Sequence, residues 1–474
     1  MGIGITEVIV DSGRKCRNAR KRRGMVIIFI SLLGSFSLWM EAEFATKESD
    51  SDQAPFFQLH GKKADDAISH HFVSKAFSKI QLDSAGQKCQ PLFNIMYLKT
   101  HKCASSTMQN ILFRYACTHN QRHETVPCGQ FSDAELTEEV KADRELALGK
   151  SNGEQVNGSH RANSRREEDP IFVAVPHEGV YAGSPARFKA EILQFPEWLL
   201  PPSGLVNMFG LHTRMDPYEL QKILHRDSLW FTVLRHPVQL YTSLFTYFKI
   251  NGAVGGSLNQ FLTRPLSVMK RAKRLNGNFG ANQMTFDLGY DPDVFYDDDK
   301  IDDMIRDVED TFDLVLIAER LEESLILLGH ALCWSLDDLV SLSKNVRSTR
   351  QSLTSEEQTK LEELNHSDMR LYRHFSSQFE EMTRRYGEEK LAGEVAALRS
   401  KRERAESYCV ESKVEGHHKS ASIKEYSADV FGFKLSHPED PLCRALAWNS
   451  KHYISYFRDL MKKRFGRRQV GPPL

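Results

Sequence analysis

The stretch that decides the fold is residues 92–115, LFNIMYLKTHKCASSTMQNILFRY. It begins with an apolar run, residues 92–98, that has the length of a buried strand. After the loop KTHKCASST, apolar residues recur at the spacing of one helix face, at Met108, Ile111, Leu112 and Tyr115. The stretch therefore predicts a strand, a loop and a helix in direct succession.

The loop in this stretch carries groups that suit an anion. A strand that turns through small residues into a helix directs backbone N–H groups and the positive end of the helix toward a ligand. Lys102 adds a charge suited to phosphate or sulfate, and three hydroxyl groups follow it, on Ser105, Ser106 and Thr107. The loop lacks the GxxxxGK pattern of nucleotide-binding phosphate loops. Ser and Thr also begin ordinary helices, so both interpretations stay open here.

A second candidate anion site follows another predicted strand. Residues 229–234 are apolar, Arg235 comes directly after them, and Pro237 suits the start of a helix over residues 238–249. Ligands bind at the carboxyl ends of strands in open α/β sheets. Ser243 lies about two turns along that helix, so Arg235 and Ser243 together predict a second phosphate site. An arginine at a strand end can also be only an ion-pair partner.

Short apolar strands alternate with helical segments along the chain. Further strands are predicted at residues 171–175, 205–209 and 313–318, and further helices at 217–225 and 321–332. This alternation predicts an α/β fold, with a parallel sheet flanked by helices and a phosphate-loop-like site. The highly charged residues 355–407 have helical periodicity and predict a solvated helical segment.

The N-terminal region predicts a membrane anchor. Residues 1–23 are rich in Arg and Lys, and the uncharged run 24–40 spans about 25 Å as a helix. Positive charge before the run predicts a cytoplasmic N-terminus and a single-pass type II signal-anchor rather than a cleaved signal peptide. We expect a lumenal stem at residues 41–90 and a folded domain at 91–468, with a polar insertion at 132–169.

The composition of the chain limits the classes of partner and the modifications that we expect. The 474 residues hold 63 Lys and Arg against 63 Asp and Glu, so bulk charge predicts no nucleic-acid partner. Seven of the eight cysteines follow the anchor, where disulfides persist, and their odd number leaves at least one free or bonded between chains. Spacing of Cys and His predicts no metal site. The sequons at Asn157 and Asn365 predict lumenal glycosylation.

Together the two anion-site segments resemble the sulfotransferases that use PAPS (3′-phosphoadenosine-5′-phosphosulfate). More specifically, they resemble the galactose-3-O-sulfotransferase family, which includes the galactosylceramide enzyme. The resemblance covers roughly residues 90–465 and rests on LKTHKCASSTMQNILFRY (98–115), His212-Thr213-Arg214, TVLRHPVQLYTSLFTYFK (232–249), NQMTFDLGYD (282–291) and residues 312–334.

The resemblance implies how the donor is held. Lys102 would contact the phosphosulfate, and the 5′-phosphate would lie among Ser105, Ser106 and Thr107. Arg235 and Ser243 would bind the 3′-phosphate. After the motif arginine the family often has Asp, whereas this chain has His236, which leaves open whether Arg235 has a neighbouring carboxylate.

The resemblance also implies the catalytic residues. His101 corresponds to the general base, Lys102 to the cation at the transferred group, and His212 to a second functional histidine. The implied reaction moves a sulfuryl group from PAPS to the 3-hydroxyl of galactose without a metal. Cys103 has no partner base and is interpreted as a small loop residue.

The implied acceptor is a galactose-terminated glycolipid or glycoprotein at the Golgi membrane, with the catalytic domain in the lumen. One alternative is sulfation of another sugar, such as a glycosaminoglycan unit. Another is a non-catalytic Golgi membrane glycoprotein, against which the presence of His101, Lys102 and Arg235 counts. The sequence leaves open which acceptor is used and whether the chain forms a homodimer.

Overall fold

The computed structural model describes most of the folded region of the chain. The described residues are 70–80, 89–120, 128, 171–176, 186–193, 203–254, 256–263, 280–342, 353–425 and 430–465. The predicted anchor and the insertion at 132–169, with Asn157, lie outside them. Across the described ranges, none of the helices combines the length and apolarity that a membrane crossing requires.

Within these residues the main sheet has four parallel strands. They are β1 (Ile95–Leu98), β2 (Met208–Phe209), β3 (Leu229–Leu234) and β4 (Leu314–Ile317), in the order β2-β1-β3-β4. Almost every strand residue is buried, as expected for a parallel sheet covered by helices. The predicted parallel α/β architecture is confirmed. The predicted strand at 171–175 forms only an isolated bridge, between Val173 and Met208.

The strand order marks the place where an α/β fold is expected to bind a ligand. The chain passes from β1 to β2 on one side and then to β3 on the other, so the order reverses between β1 and β3. Ligands bind in α/β folds at such a switch point, outside the carboxyl ends of the strands. Leu98 pairs with Thr232, which sets the loop after β1 beside the segment after β3.

Helices flank the sheet. Those described are α1 (His70–Lys79), α2 (Ser105–Asn120), α3 (Pro217–Gln221), α4 (Pro237–Tyr247), α5 (Ile250–Val254), α6 (Leu258–Leu262), α7 (Gln283–Asp287), α8 (Asp298–Thr311), α9 (Leu321–Leu332), α10 (Leu336–Leu339), α11 (Ser355–Leu364), α12 (His366–Tyr386), α13 (Glu388–Cys409), α14 (Pro441–Ala447) and α15 (Ser450–Phe465). A small antiparallel sheet pairs β5 (Val410–Glu415) with β6 (Phe431–Leu435).

The prediction of a solvated segment at 355–407 is wrong for α12. This helix packs against β4, and Leu371, Phe375, Phe379 and Met382 are fully buried. These residues recur every three or four positions and form an apolar stripe. The charged residues between them occupy the other faces of the helix, which explains why composition alone suggested a solvated segment.

Helix α1 lies inside the predicted stem but belongs to the folded domain. Phe72, Val73 and Ala76 are fully buried, and the Phe72 ring meets Phe375 edge-on with centroids 5.3 Å apart. Lys75 Nζ donates hydrogen bonds to the C-terminal region of α8, at the carbonyls of Glu309, Asp310 and Phe312. The domain therefore begins before residue 91, where the sequence placed its boundary.

Three disulfides account for six of the seven cysteines after the predicted anchor. The bonded pairs are Cys89–Cys333, Cys117–Cys128 and Cys409–Cys443. Cys103 keeps a free, buried thiol in the loop after β1. The expectation that one cysteine stays unbonded is confirmed.

The prediction of a glycan at Asn365 is wrong for the folded chain. Asn365 is fully buried between α11 and α12. Its Nδ2 donates to the Leu361 carbonyl at 2.8 Å, and its Oδ1 accepts the backbone N–H of Asn282 at 2.9 Å. A glycan on this amide would remove a donor and would need space that the packed core does not have.

Candidate active site

The loop between β1 and α2 contains two residues in the left-handed backbone region. Lys102 and Ala104 have φ angles of 59° and 53°, in the left-handed region that residues with a Cβ seldom adopt. Thr107 N and Met108 N both donate to the Ala104 carbonyl, at 3.0 and 3.1 Å, and so begin α2. Alternating backbone conformations of this kind direct successive N–H groups into one concave surface.

The predicted donor-loop side chains lie around this surface. Ser105 and Thr107 are half-buried and Ser106 is exposed, all in the first turn of α2. The first N–H groups of a helix have no acceptor within the helix, so they can bind an anion. Lys102 Nζ lies 3.9 Å from the centre of the Tyr247 ring, in a cation–π contact at the end of α4.

Arg235 joins the two predicted anion segments. Its Nη1 donates to the Lys102 carbonyl at 2.9 Å. Ser243 is half-buried on α4, which begins at Pro237, two residues after Arg235. Glu319, just after β4, accepts the backbone N–H of His236 at 3.0 Å, so a carboxylate lies beside position 236.

His101 is held by a buried carboxylate that the sequence did not reveal. Asp287 Oδ2 accepts the backbone N–H of His101 at 2.7 Å, and Oδ1 lies 2.9 Å from His101 Nδ1. Gln283 Nε2 donates to the same Oδ1 at 2.8 Å. An ionised carboxylate only accepts, so Nδ1 carries the proton and Nε2 keeps its lone pair. In the neutral imidazole this contact leaves Nε2 as the ring nitrogen that can accept a hydrogen bond.

Arg214 and Met215 position the segment that carries Asp287. Met215 N donates to the Asp287 carbonyl at 2.9 Å, while Arg214 Nη2 donates to the Gly289 carbonyl at 3.1 Å and contacts Asp291 Oδ1 at 2.5 Å. Gly289 has φ 99°, and a Cβ there would lie 2.3 Å from the Met215 carbonyl oxygen. The His-Thr-Arg motif therefore holds Asp287 in place through its arginine.

A second buried carboxylate holds α7. Asp368 accepts the backbone N–H groups of Met284 and Thr285, at 3.0 and 2.8 Å, and the Thr285 hydroxyl at 2.7 Å. Burial raises the pKa of Asp368 to about 6. Asp287 lies in the last turn of this short helix, so the hydrogen bonds between α7 and Asp368 of α12 help to fix its position.

His212 lies beside His101 in the crevice. Their ring centres are 4.6 Å apart, with planes inclined by 31°. Burial lowers the pKa of His212 well below its usual range, and the nearby charges of Lys99, His101 and Lys102 act in the same direction. His212 is consequently neutral at physiological pH, so one ring nitrogen donates a hydrogen bond and the other accepts one.

Lys99 is a buried amine under the same crevice. Its Nζ donates to Gln109 Oε1 at 2.6 Å, and Gln109 Nε2 donates to the Gly210 carbonyl at 2.6 Å. Burial, followed by repulsion from Lys102, lowers the pKa of Lys99 to about 7. An amine that titrates near neutrality therefore lies close enough to His212 to affect the charge of that ring.

Cys103 has no catalytic role in this geometry. Its thiol is fully buried and donates to the His101 carbonyl at 3.2 Å. Burial raises the pKa of the Cys103 thiol far above neutrality, so it is not a thiolate at physiological pH. Its interpretation as a small loop residue agrees with the structure.

The sequence missed Asp287, Gln283 and Lys99. The first two lie in NQMTFDLGYD, a segment recognised for its resemblance but without local features that mark a partner of His101. Lys99 carried a weak signal, since it is a lysine at the end of an apolar run and must be either buried or at the site.

The described residues form an α/β fold in which a loop with left-handed residues and a carboxylate-held imidazole follow the first strand of the parallel sheet. The chain belongs to the galactose-3-O-sulfotransferase family, whose model matches residues 12–136 and 166–453. The family is one of carbohydrate sulfotransferases.

Curated relatives bear the names of this family. The chain is 32% identical to pig galactose-3-O-sulfotransferase 2 over 73% of its own length and 77% of the relative's. It is 30% identical to bovine galactosylceramide sulfotransferase over 68% of its own length and 65% of the relative's. It is 26% identical to mouse galactose-3-O-sulfotransferase 3 over 78% of its own length and 79% of the relative's. No solved structure matches the chain significantly.

Proposed function

We propose that the protein transfers a sulfuryl group from PAPS to the 3-hydroxyl of a galactose residue. The acceptor rests on family membership, because the relatives are named for galactose and galactosylceramide. The observation that carries the chemistry is the fixed imidazole of His101 beside the anion loop. We expect a galactose-terminated glycolipid or glycoprotein as the acceptor.

The residues present fit an anionic donor with phosphates at two places. Lys102, the N–H groups of the left-handed loop and the hydroxyls of Ser105, Ser106 and Thr107 would hold the 5′-phosphosulfate. Arg235 and Ser243 would hold the 3′-phosphate from the neighbouring strand end. PAPS supplies the activated sulfuryl group when bound at these residues.

His101 is the proposed general base. Because Asp287 fixes the proton on Nδ1, Nε2 can accept the proton of the sugar hydroxyl. The Asp287 carboxylate then stabilises the imidazolium that forms. Lys102 and the loop N–H groups stay in place to hold negative oxygens, which preorganises the site electrostatically.

His212 is proposed to orient the acceptor. A neutral imidazole 4.6 Å from His101 can hydrogen-bond the sugar without adding a competing positive charge. Its depressed pKa keeps it neutral while His101 gains a proton. The two histidines thus have separate roles, one in proton transfer and one in placing the sugar.

We further propose a single-pass type II protein of the Golgi membrane, anchored by residues 24–40, with its catalytic domain in the lumen. The three disulfides support an oxidising compartment. Glycosidase treatment of the expressed protein should lower its mass, and Asn157→Gln should abolish that change. A protein recovered without detergent, unglycosylated and reduced would contradict the topology.

An acceptor panel tests the proposed reaction. The full-length protein is incubated with labelled PAPS and, separately, galactosylceramide, lactosylceramide, N-acetyllactosamine and chondroitin. We expect label on at least one galactoside and linkage analysis that places it on the 3-hydroxyl. Label on chondroitin alone would support the alternative acceptor class, and no label on any acceptor would contradict the proposal.

A further inference from the structure

Two neighbouring aromatic side chains are exposed at the end of α4, beside the site. Tyr247 and Phe248 are 36% and 40% exposed, although Leu244 and Phe245 in the preceding turn are buried. The helix ends here, since Lys249 has φ 51°. Single exposed apolar side chains are common on protein surfaces, but an aromatic pair beside convergent polar groups is typical of a ligand site.

Tyr247 and Phe248 contact both His101 and the loop that carries Lys102. The Phe248 ring centre lies 6.3 Å from that of His101 and 5.1 Å from that of Tyr247, with the two aromatic rings nearly perpendicular. Lys102 Nζ lies 3.9 Å from the Tyr247 ring centre. Tyr247 thus contacts the cation of the donor loop, while Phe248 offers its exposed surface next to the imidazole.

The distances suit a stacked sugar ring. A ligand in van der Waals contact with Phe248 lies about 3.5–4.0 Å from it. The ring centres of Phe248 and His101 are only 6.3 Å apart, so a sugar packed on Phe248 at the side that faces His101 has edge hydroxyls next to the imidazole. Contact through the face of the sugar leaves its edge hydroxyls available for hydrogen bonds.

Galactose has the face that such a surface recognises. Its axial 4-hydroxyl projects to one side, which leaves mainly C–H groups on the other, and C–H groups pack well on the electron-rich face of an aromatic ring. We infer that Phe248, with Tyr247 beside it, forms the stacking surface for the galactose ring of the acceptor. The inference rests on the proposed function, because it states where the sugar lies relative to His101.

Steady-state kinetics of the full-length protein test this surface. N-acetyllactosamine serves as a soluble acceptor, so no lipid tail contributes to binding. Phe248→Ala should raise the acceptor KM about 5- to 10-fold, with kcat within about threefold of wild type and the KM for PAPS unchanged. Phe248→Trp should keep the acceptor KM close to wild type, because it retains an aromatic face.

The control is Phe431→Ala, which removes an aromatic ring of similar exposure (38%) on β6. An acceptor KM for Phe248→Ala within twofold of this control would overturn the inference, and so would equal losses with Ala and Trp. Failure of the proposed function looks different, because wild-type protein would then sulfate no galactoside at all.

Discussion

Asp287 contacts His101 at two atoms: Oδ2 accepts the backbone N–H at 2.7 Å, and Oδ1 lies 2.9 Å from Nδ1. The two residues are 186 positions apart in the chain. The first contact fixes the loop and the second fixes the ring, so one buried carboxylate sets both the position and the tautomer of the imidazole.

Replacing Asp287 with Asn should reduce turnover while leaving donor binding nearly intact. The Asn amide can donate to Nδ1, which would leave the proton on Nε2 and remove its basicity. We expect kcat to fall on the order of 10²-fold, measured by transfer of labelled sulfuryl groups. Asp293→Asn removes an exposed carboxylate from the same segment, one that pairs with Lys300 rather than with His101 or Arg214, and should have a much smaller effect. A kcat for Asp287→Asn within threefold of wild type would contradict the claim that Asp287 sets the tautomer of His101.

The 3′-phosphate site predicts a difference between two nucleotides. Adenosine 3′,5′-bisphosphate should raise the Tm of the protein well above the effect of AMP, since saturating ligand at 100 times its Kd adds about 2.7 kcal/mol. Arg235→Ala should remove most of this difference, because it deletes a charge-assisted contact of about 1.5–3 kcal/mol. The exposed Arg226 provides the control substitution. Equal shifts by both nucleotides in wild type would remove the case for Arg235 and Ser243.

Lys99 predicts a pH-dependent stability. Unfolded Lys99 stays protonated up to its ordinary pKa of 10.5, whereas folding lowers that pKa to about 7. Below pH 7 the buried charge carries its full cost, and wild-type stability recovers as the pH rises from about 7 to 10.5. Lys99→Met should therefore be more stable than wild type near pH 6, and the advantage should shrink toward pH 10.

Urea unfolding at several pH values measures this difference. Lys413→Met, at an exposed position in β5, is the matched control and should show little change. A Lys99→Met advantage that is constant across the pH range would mean that packing, rather than the charge, decides the effect.

Helix α1 predicts that the region before residue 91 contributes to stability. Phe72→Ala should cost roughly 3–5 kcal/mol of unfolding free energy, because the ring is fully buried against Phe375. Tyr218→Ala, at a side chain that is 70% exposed, should cost little. Denaturant unfolding of the two variants measures the difference. Equal unfolding midpoints for the two variants would mean that α1 belongs to the stem and not to the folded domain.

Local signals in the sequence predicted much of the fold. Strand β3 at Leu229–Leu234 and helix α9 at Leu321–Leu332 lie where an apolar run and a helical pattern placed them. The loop after β1 and Arg235 were also predicted, since each directly follows a recognisable strand. Their contact through the Lys102 carbonyl then follows from the pairing of β1 with β3.

Features that depend on distant parts of the chain were not predicted. Asp287 reaches His101 only because Met215 and Arg214 hold its segment beside the strand ends. The burial of α12 depends on β4 and α1, although its stripe of Leu371, Phe375, Phe379 and Met382 was visible in the sequence. Charge content obscured that stripe. The buried state of Asn365 likewise depends on contacts with α7 that a sequon cannot reveal.

The assignment of His101 as the base is tested by the rate of sulfuryl transfer from labelled PAPS to a galactoside, measured for wild type, His101→Ala and His212→Ala. We expect His101→Ala to lower kcat about 10²-fold or more with donor affinity nearly unchanged, and His212→Ala to act mainly through the acceptor KM. Near wild-type kcat in His101→Ala, with turnover abolished in His212→Ala at unchanged affinities, would contradict the assignment of His101 as the base.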